Sequence, residues 1–137
     1  DPNKCHFITA LIRKIIDSEN DGKKEITLFG TGNPLRQFMY AGDLARVIKY
    51  MIENDVTGNY NVAPDYVHSI EEITKIGIRA CGRDDLKINY DNTKPDGQYR
   101  KDVDSSKLLS VLNDFEFTSL EEGIRRVYDN FSQRYNW

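Results

Sequence analysis

Between Ile26 and Tyr40 the chain reads ITLFGTGNPLRQFMY, and this run constrains everything around it. Apolar residues alternate up to Phe29, then the pattern breaks at Gly30-Thr31-Gly32-Asn33-Pro34. Alternation of period two argues a strand, and two glycines followed by Asn-Pro argue a tight loop. Beyond the loop, Arg36 stands between Leu35 and Phe38, two residues suited to burial. A short strand therefore ends in a loop that presents a guanidinium, a planar, permanently charged group that matches phosphate or carboxylate oxygens in pairs. The expectation is that Arg36 grips a diphosphate.

Helical stripes flank this strand on both sides. Phe7, Ile8, Leu11, Ile12, Ile15 and Ile16 recur at helical spacing, and Asn20-Asp21-Gly22 stops that helix. Leu44, Val47, Ile48, Met51 and Ile52 mark a second helix with Asp43 as its N-cap. Ser69-Ile70-Glu71-Glu72 fits a capping box leading into Ile73, Ile76 and Ala80, with Gly82 as the stop. Asp104 is expected to cap a short helix through Leu108, Leu109 and Leu112. Thr118 or Ser119 starts a last one bearing Leu120, Ile124, Val127, Tyr128 and Phe131. Strands are expected over roughly Glu25 to Phe29, Tyr60-Asn61-Val62 and Leu86 to Tyr90. The result is an α/β fold, one domain over residues 1–137, in which helices cover a small mixed sheet. Periodicity alone leaves the relative strand directions open.

Composition excludes several classes. An apolar fraction of 39% and a charged fraction of 30% suit a soluble globular chain, and no run is long and apolar enough to span a membrane. With 19 basic against 22 acidic residues, the net charge of −3 argues against a general nucleic-acid or anionic-membrane surface, so any anion site must be a local cluster. Cys5 and Cys81 lack metal-ligand spacing and read as two reduced thiols, with the cytoplasm as the default compartment. The start at Asp1-Pro2-Asn3, without an initiator Met, reads as a cut piece.

Three patterns are decoys. Gly30-Thr31-Gly32 opens like a dinucleotide fingerprint but lacks a third glycine at the right spacing, and Pro34 falls where a helix should begin. Tyr90 and Lys94 have the spacing of a Tyr/Lys acid pair, which requires a helix. Here the pattern runs from a strand into a Lys-Pro loop. Cys5 and His6 are adjacent, and neighbours along a helix diverge. His6 alone is a candidate, because it opens the first helix, whose positive end favours an anionic neighbour. His68, beside the cap Ser69, reads as structural or solvated. Lys94, Asp96 and Lys101 form a polar group that is most simply a solvated turn. Paired with Arg36, however, Lys94 and Asp96 put two cations and a carboxylate on two strand-exit loops that can bind a diphosphate and a base or sugar. Phe29, just before the first loop, is either a stacking face or an ordinary core aromatic.

The run LFGTGNPLRQFMYAGDLA, with TKPDGQYRKDVDSSKL farther on, resembles the C-terminal half of the GDP-L-fucose synthases, the GDP-4-keto-6-deoxy-D-mannose epimerase/reductases of the extended short-chain dehydrogenase/reductase family. The likeness extends over essentially the whole chain, and the Lys-Pro-Asp-Gly loop with its downstream lysine is the more specific of the two motifs. It implies that His6 serves as the acid in epimerisation and lies against the nicotinamide of NADP. It further implies that Lys14, Phe29, Arg36, Lys94 and Asp96 contact substrate, with Phe29 in place of a tryptophan and Arg36 on the diphosphate. Thr9 stands where relatives have a proline. A complete enzyme of this kind also has an N-terminal Rossmann domain with a glycine-rich NADP loop, a Ser/Tyr/Lys set and a cysteine base, and it works as a homodimer on GDP-4-keto-6-deoxy-D-mannose. None of those motifs is present in these 137 residues, so the piece alone is expected to be inert. The alternative is a noncatalytic nucleotide-sugar or interaction module that keeps the fold, and a branch acting on UDP- or dTDP-sugars also stays open.

Overall fold

The structure, a computed structural model, describes residues 6–134, so Cys5 lies outside the described residues. Helix α1 (Phe7–Asn20) buries Leu11, Ile12 and Ile15 along one stripe and ends before Gly22, whose φ of +64° is a left-handed conformation that glycine adopts without a Cβ clash. Strand β1 (Glu25–Phe29) turns Ile26 and Leu28 inward and leaves the alternate residues exposed. Its partner is the later strand Lys87–Asp91, paired in parallel from Glu25↔Lys87 to Phe29↔Asp91. That partner starts one residue later than the sequence pattern suggests. Leu86 is nonetheless buried and belongs to the core.

Between the two halves of this sheet come β2 (Leu35–Arg36), α2 (Ala41–Glu53), β3 (His68–Ser69) and α3 (Ile70–Ala80), which makes Lys87–Asp91 β4. After it follow β5 (Arg100–Lys101), α4 (Ser106–Leu109) and α5 (Leu120–Arg134). Helices α1, α3 and α5 cover the β1–β4 pair, burying Leu11, Ile15, Ile78 and Ile124 against Ile26 and Leu86. Gly77 permits the close approach of α3 to α1, since a Cβ there would sit 2.8 Å from Leu11 Cδ2. A second cluster joins α2 to α4 through Val47, Leu108 and Leu112, with Phe115 and Phe117 packed on it.

A second, three-stranded sheet is mixed: β2 lies between β3, antiparallel, and β5, parallel. Each of its strands is two residues long, too short for any periodicity to show. The strand expected at Tyr60-Asn61-Val62 does not form among the described residues. Side chains hold that segment instead: Asn61 Nδ2 donates to the Asp104 carbonyl at 2.9 Å, and the Lys107 ammonium lies 4.6 Å from the Tyr60 ring centroid. Asp43 is not the N-cap of α2. Tyr40 occupies that position, while Asp43 sits buried in the first turn and reaches across to Thr118. The capping box at Ser69 and Glu72 forms as expected, and Ser119 Oγ accepts from Glu122 N at 3.3 Å; α4 ends at Leu109, and its N-cap position falls to Ser105 rather than Asp104, although Asp104 accepts from Ser106 N at 2.7 Å.

Alkaline pH should loosen this core. Burial pushes the Cys81 thiol up to about 12, and burial together with the bond to Glu19 pushes Tyr128 up to about 12 as well. Both folded values lie above the ordinary 9.0 and 10.0, so the unfolded chain gives up these protons first. The stability they contribute is complete below pH 9 and is lost as pH rises toward 12. Melting temperature measured from pH 8 to 11 is expected to fall, and Cys81→Ser with Tyr128→Phe is expected to flatten the fall. Among the described residues no helix is long and apolar enough to cross a membrane.

Candidate functional site

The two sheets place the loop after β1 and the loop after β4 against each other. Asp96 accepts from Thr31 N at 2.6 Å and from Thr31 Oγ1 at 2.8 Å, so one carboxylate clasps both loops. Gly30 and Gly32 make that contact possible. Their φ values are +80° and +81°; a Cβ on Gly30 would overlap Asp96 Oδ1, and one on Gly32 would meet the Tyr90 ring at 2.7 Å. Tyr90 pays for this packing, because its hydroxyl is buried without a hydrogen-bond partner among the described residues and burial raises its pKa.

From the clasped loop the chain enters β2, and the parallel pairing of β2 with β5 sets Arg36 opposite Lys101. Both line a hollow of about 460 Å³ whose wall also includes His6, Phe38, Pro64 and Val103. The Arg36 guanidinium donates to the Leu35 carbonyl at 2.7 Å and to the Tyr99 carbonyl at 3.5 Å through a single nitrogen, Nη1. Its remaining N–H groups are not used by those bonds. Asp102 also lines the hollow, but Arg100 holds both of its oxygens at 2.8 Å and keeps its carboxyl below the usual range. The carboxylate that lines the hollow is thus already paired with Arg100, which leaves the hollow with two cations, Arg36 and Lys101, that Asp102 does not neutralise. Gln37 braces the wall, accepting from Val103 N at 3.0 Å and donating to the Pro64 carbonyl at 2.5 Å.

His6 takes the N-cap position of α1 in an extended conformation, and its imidazole makes no capping bond. It is exposed and borders a second, apolar hollow of about 350 Å³ lined by Met39, Tyr40, Tyr66, Leu120 and Ile124. Thr9 lies on that second wall.

The structure therefore gathers the sequence candidates into three groups rather than one. His6 and Arg36 share the larger hollow. Lys14 and Phe29 meet each other, with the ammonium 5.8 Å from the ring centroid, and Phe29 is 66% exposed at the end of β1. Asp96 spends its carboxylate on Thr31, while exposed Lys94 is not among the residues that line the hollow of Arg36. The cation that joins Arg36 there is Lys101, which the sequence places only in a loose polar group. Its signal would have been the register of two strands 65 residues apart, which no local pattern carries.

A dinucleotide needs glycines left open to its pyrophosphate. Here the space before Gly30 and Gly32 is filled by Asp96 and Tyr90, so this loop is no NADP cradle.

Helices cover short parallel and mixed strands, and a hollow lined by Arg36 and Lys101 lies where β2 pairs with β5, which makes this an α/β fold with a cationic hollow at its smaller sheet. A profile described as the NAD dependent epimerase/dehydratase family matches residues 1–63. GDP-L-fucose synthase 1 of Arabidopsis thaliana is 33% identical over 129 residues, covering 93% of this chain and 39% of that protein. GDP-L-colitose synthase of Yersinia pseudotuberculosis is 36% identical over 138 residues, covering 99% and 44%. Among solved structures, a GDP-L-fucose synthetase from Naegleria fowleri superposes with a TM-score of 0.85 at 24% identity, over 98% of this chain and 41% of that one. Its NADP-bound form superposes at 0.81 and 25% identity, over 93% and 40%. The chain belongs to the extended short-chain dehydrogenase/reductase family as a GDP-L-fucose-synthase-like member. It spans about two fifths of the length of the curated relatives it matches.

Proposed function

We propose that this chain is the C-terminal, substrate-binding part of an NADP-dependent enzyme that converts GDP-4-keto-6-deoxy-D-mannose to GDP-L-fucose. NADP is held mainly by residues outside these 137, where it supplies the hydride. The whole protein acts as a cytoplasmic homodimer, and the piece alone is inactive. What supports the reading is the single hollow that combines His6 with Arg36 and Lys101. In it, the guanidinium and the ammonium hold the diphosphate, a pairing of fixed cations with a doubly charged linker. His6 stands at the same hollow with its imidazole exposed and carries the proton that returns to the sugar carbon next to the 4-keto group. Lys14 and Phe29 present a cation and an aromatic face to the sugar or nucleoside. Lys94 and Asp96 lie on the second loop, outside the lining of the hollow; Asp96 fixes that loop against Thr31, and both are proposed as substrate contacts at its edge.

Arg36→Ala in the full protein is expected to weaken GDP binding by about 1.5 to 3 kcal/mol, the worth of hydrogen bonds to a charged group, and to leave NADPH binding nearly unchanged. Titration of GDP, UDP and dTDP against wild type and variant checks both the site and the base. Equal loss of GDP and NADPH affinity would signal a folding defect. The likeness to GDP-L-colitose synthase favours one second reading, in which the product is GDP-L-colitose. Product analysis of the full protein decides between the two sugars.

A further inference from the structure

Resting on that reading of the hollow, we propose that Tyr99 is the platform on which the nucleobase of the bound nucleotide stacks. Tyr99 stands one residue before β5, on the second loop, and its side chain is among the most exposed large apolar groups of the chain at 67%. Its backbone is anything but loose. The Tyr99 carbonyl accepts from Leu35 N at 2.7 Å and from the Arg36 guanidinium at 3.5 Å, so both the diphosphate cation and the residue before it are bonded to this one peptide.

A ring on a residue whose own carbonyl touches the guanidinium stands within the length of a single nucleoside from any diphosphate held there. The backbone fixes the origin of the side chain at the edge of the hollow, and Lys101, two residues on, lines that hollow. No hydrogen bond from the Tyr99 hydroxyl to a described residue accounts for the placement. Phe29, the other exposed aromatic near these loops, already has the Lys14 ammonium above its ring. An exposed tyrosine face beside a fixed cation pair is the arrangement that binds a base by its π surface while the phosphates are held electrostatically. Stacking tolerates every base, so Tyr99 contributes affinity, and the choice of guanine comes from elsewhere.

The test compares GDP with inorganic pyrophosphate as probes of the full protein, titrated against wild type, Tyr99→Phe, Tyr99→Leu and Tyr99→Ala. Tyr99→Phe is expected to bind GDP within twofold of wild type. Tyr99→Leu and Tyr99→Ala are expected to lose about 5- to 100-fold for GDP, the usual range for removing one stacked base, with pyrophosphate affinity held within twofold. Unchanged GDP affinity in Tyr99→Leu and Tyr99→Ala overturns the proposal, as does a parallel loss of pyrophosphate affinity, which would mean that only the peptide carbonyl matters. Arg36→Ala separates the two levels. If it leaves GDP binding intact, the hollow itself is misread, whereas a loss there beside an intact Tyr99→Ala rejects the stacking alone.

Discussion

Replacing His6 by asparagine in the full protein is expected to slow epimerisation about 100-fold or more, within the range that a positioned general acid contributes. The substitution keeps a polar side chain of similar reach at the N-cap of α1, a position where asparagine is well tolerated, so the helix should not suffer. What disappears is a side chain able to give up and regain a proton near neutral pH. The imidazole borders both the cationic hollow and the apolar one beside it, so it faces a site where a sugar tethered by its diphosphate would rest. Solvent deuterium incorporation at the sugar carbons, followed with GDP-4-keto-6-deoxy-D-mannose, reads the proton step directly. GDP affinity should stay within about twofold of wild type, because Arg36 and Lys101, the two cations of the hollow, are untouched. If deuterium enters at the wild-type rate, His6 is not the acid and its place at the hollow is incidental.

Long elements were legible in this chain because a period needs length to show itself. Fourteen residues of α1 and five of β1 repeat their burial often enough to be read directly, and the capping box at Ser69 announces α3 through local chemistry alone. The three two-residue strands were invisible for the same reason, since their identity lies in partners found far along the chain. Tyr60-Asn61-Val62 has the composition of a strand, but a strand exists only where a ladder partner stands beside it. The site followed the same rule. Arg36 could be picked out because the loop before it breaks a clear alternation, and Asp96 because it sits in a turn-forming run. That Asp96 would clasp Thr31, that Lys14 would lie over Phe29, and that Lys101 would share a hollow with Arg36 are facts of tertiary register. Asp43 differs from its expected role: an aspartate before an apolar stripe is a reasonable N-cap, yet here the cap is Tyr40, three residues earlier, and the carboxylate turns inward.

That inward turn makes Asp43→Ala the most damaging single change expected for the fold. The side chain is 1% exposed and receives three donors: Thr118 N and Thr118 Oγ1 at 2.8 Å each, and Arg46 Nη1 at 3.0 Å. Removing it strands the Thr118 N–H and hydroxyl, both part-buried, whereas Arg46 is half exposed and can recover water. The guanidinium also keeps its bond to the Glu116 carbonyl at 2.8 Å and its place 4.4 Å from the Phe115 ring. The loss should therefore sit toward the low end of the roughly 3 to 5 kcal/mol that breaking a buried charge pair costs. Because Thr118 leads into α5 and α5 covers the β1–β4 pair, the effect should appear as a cooperative drop in the urea midpoint with an unchanged slope. Asp43→Asn is expected to recover only part of it, since one amide nitrogen would turn a donor toward a donor. A double-mutant cycle with Thr118→Ala isolates the contact: a coupling of about 1 kcal/mol or more is expected for a bond to a charged acceptor, and additive losses would mean that Asp43 stabilises the fold through Arg46 instead.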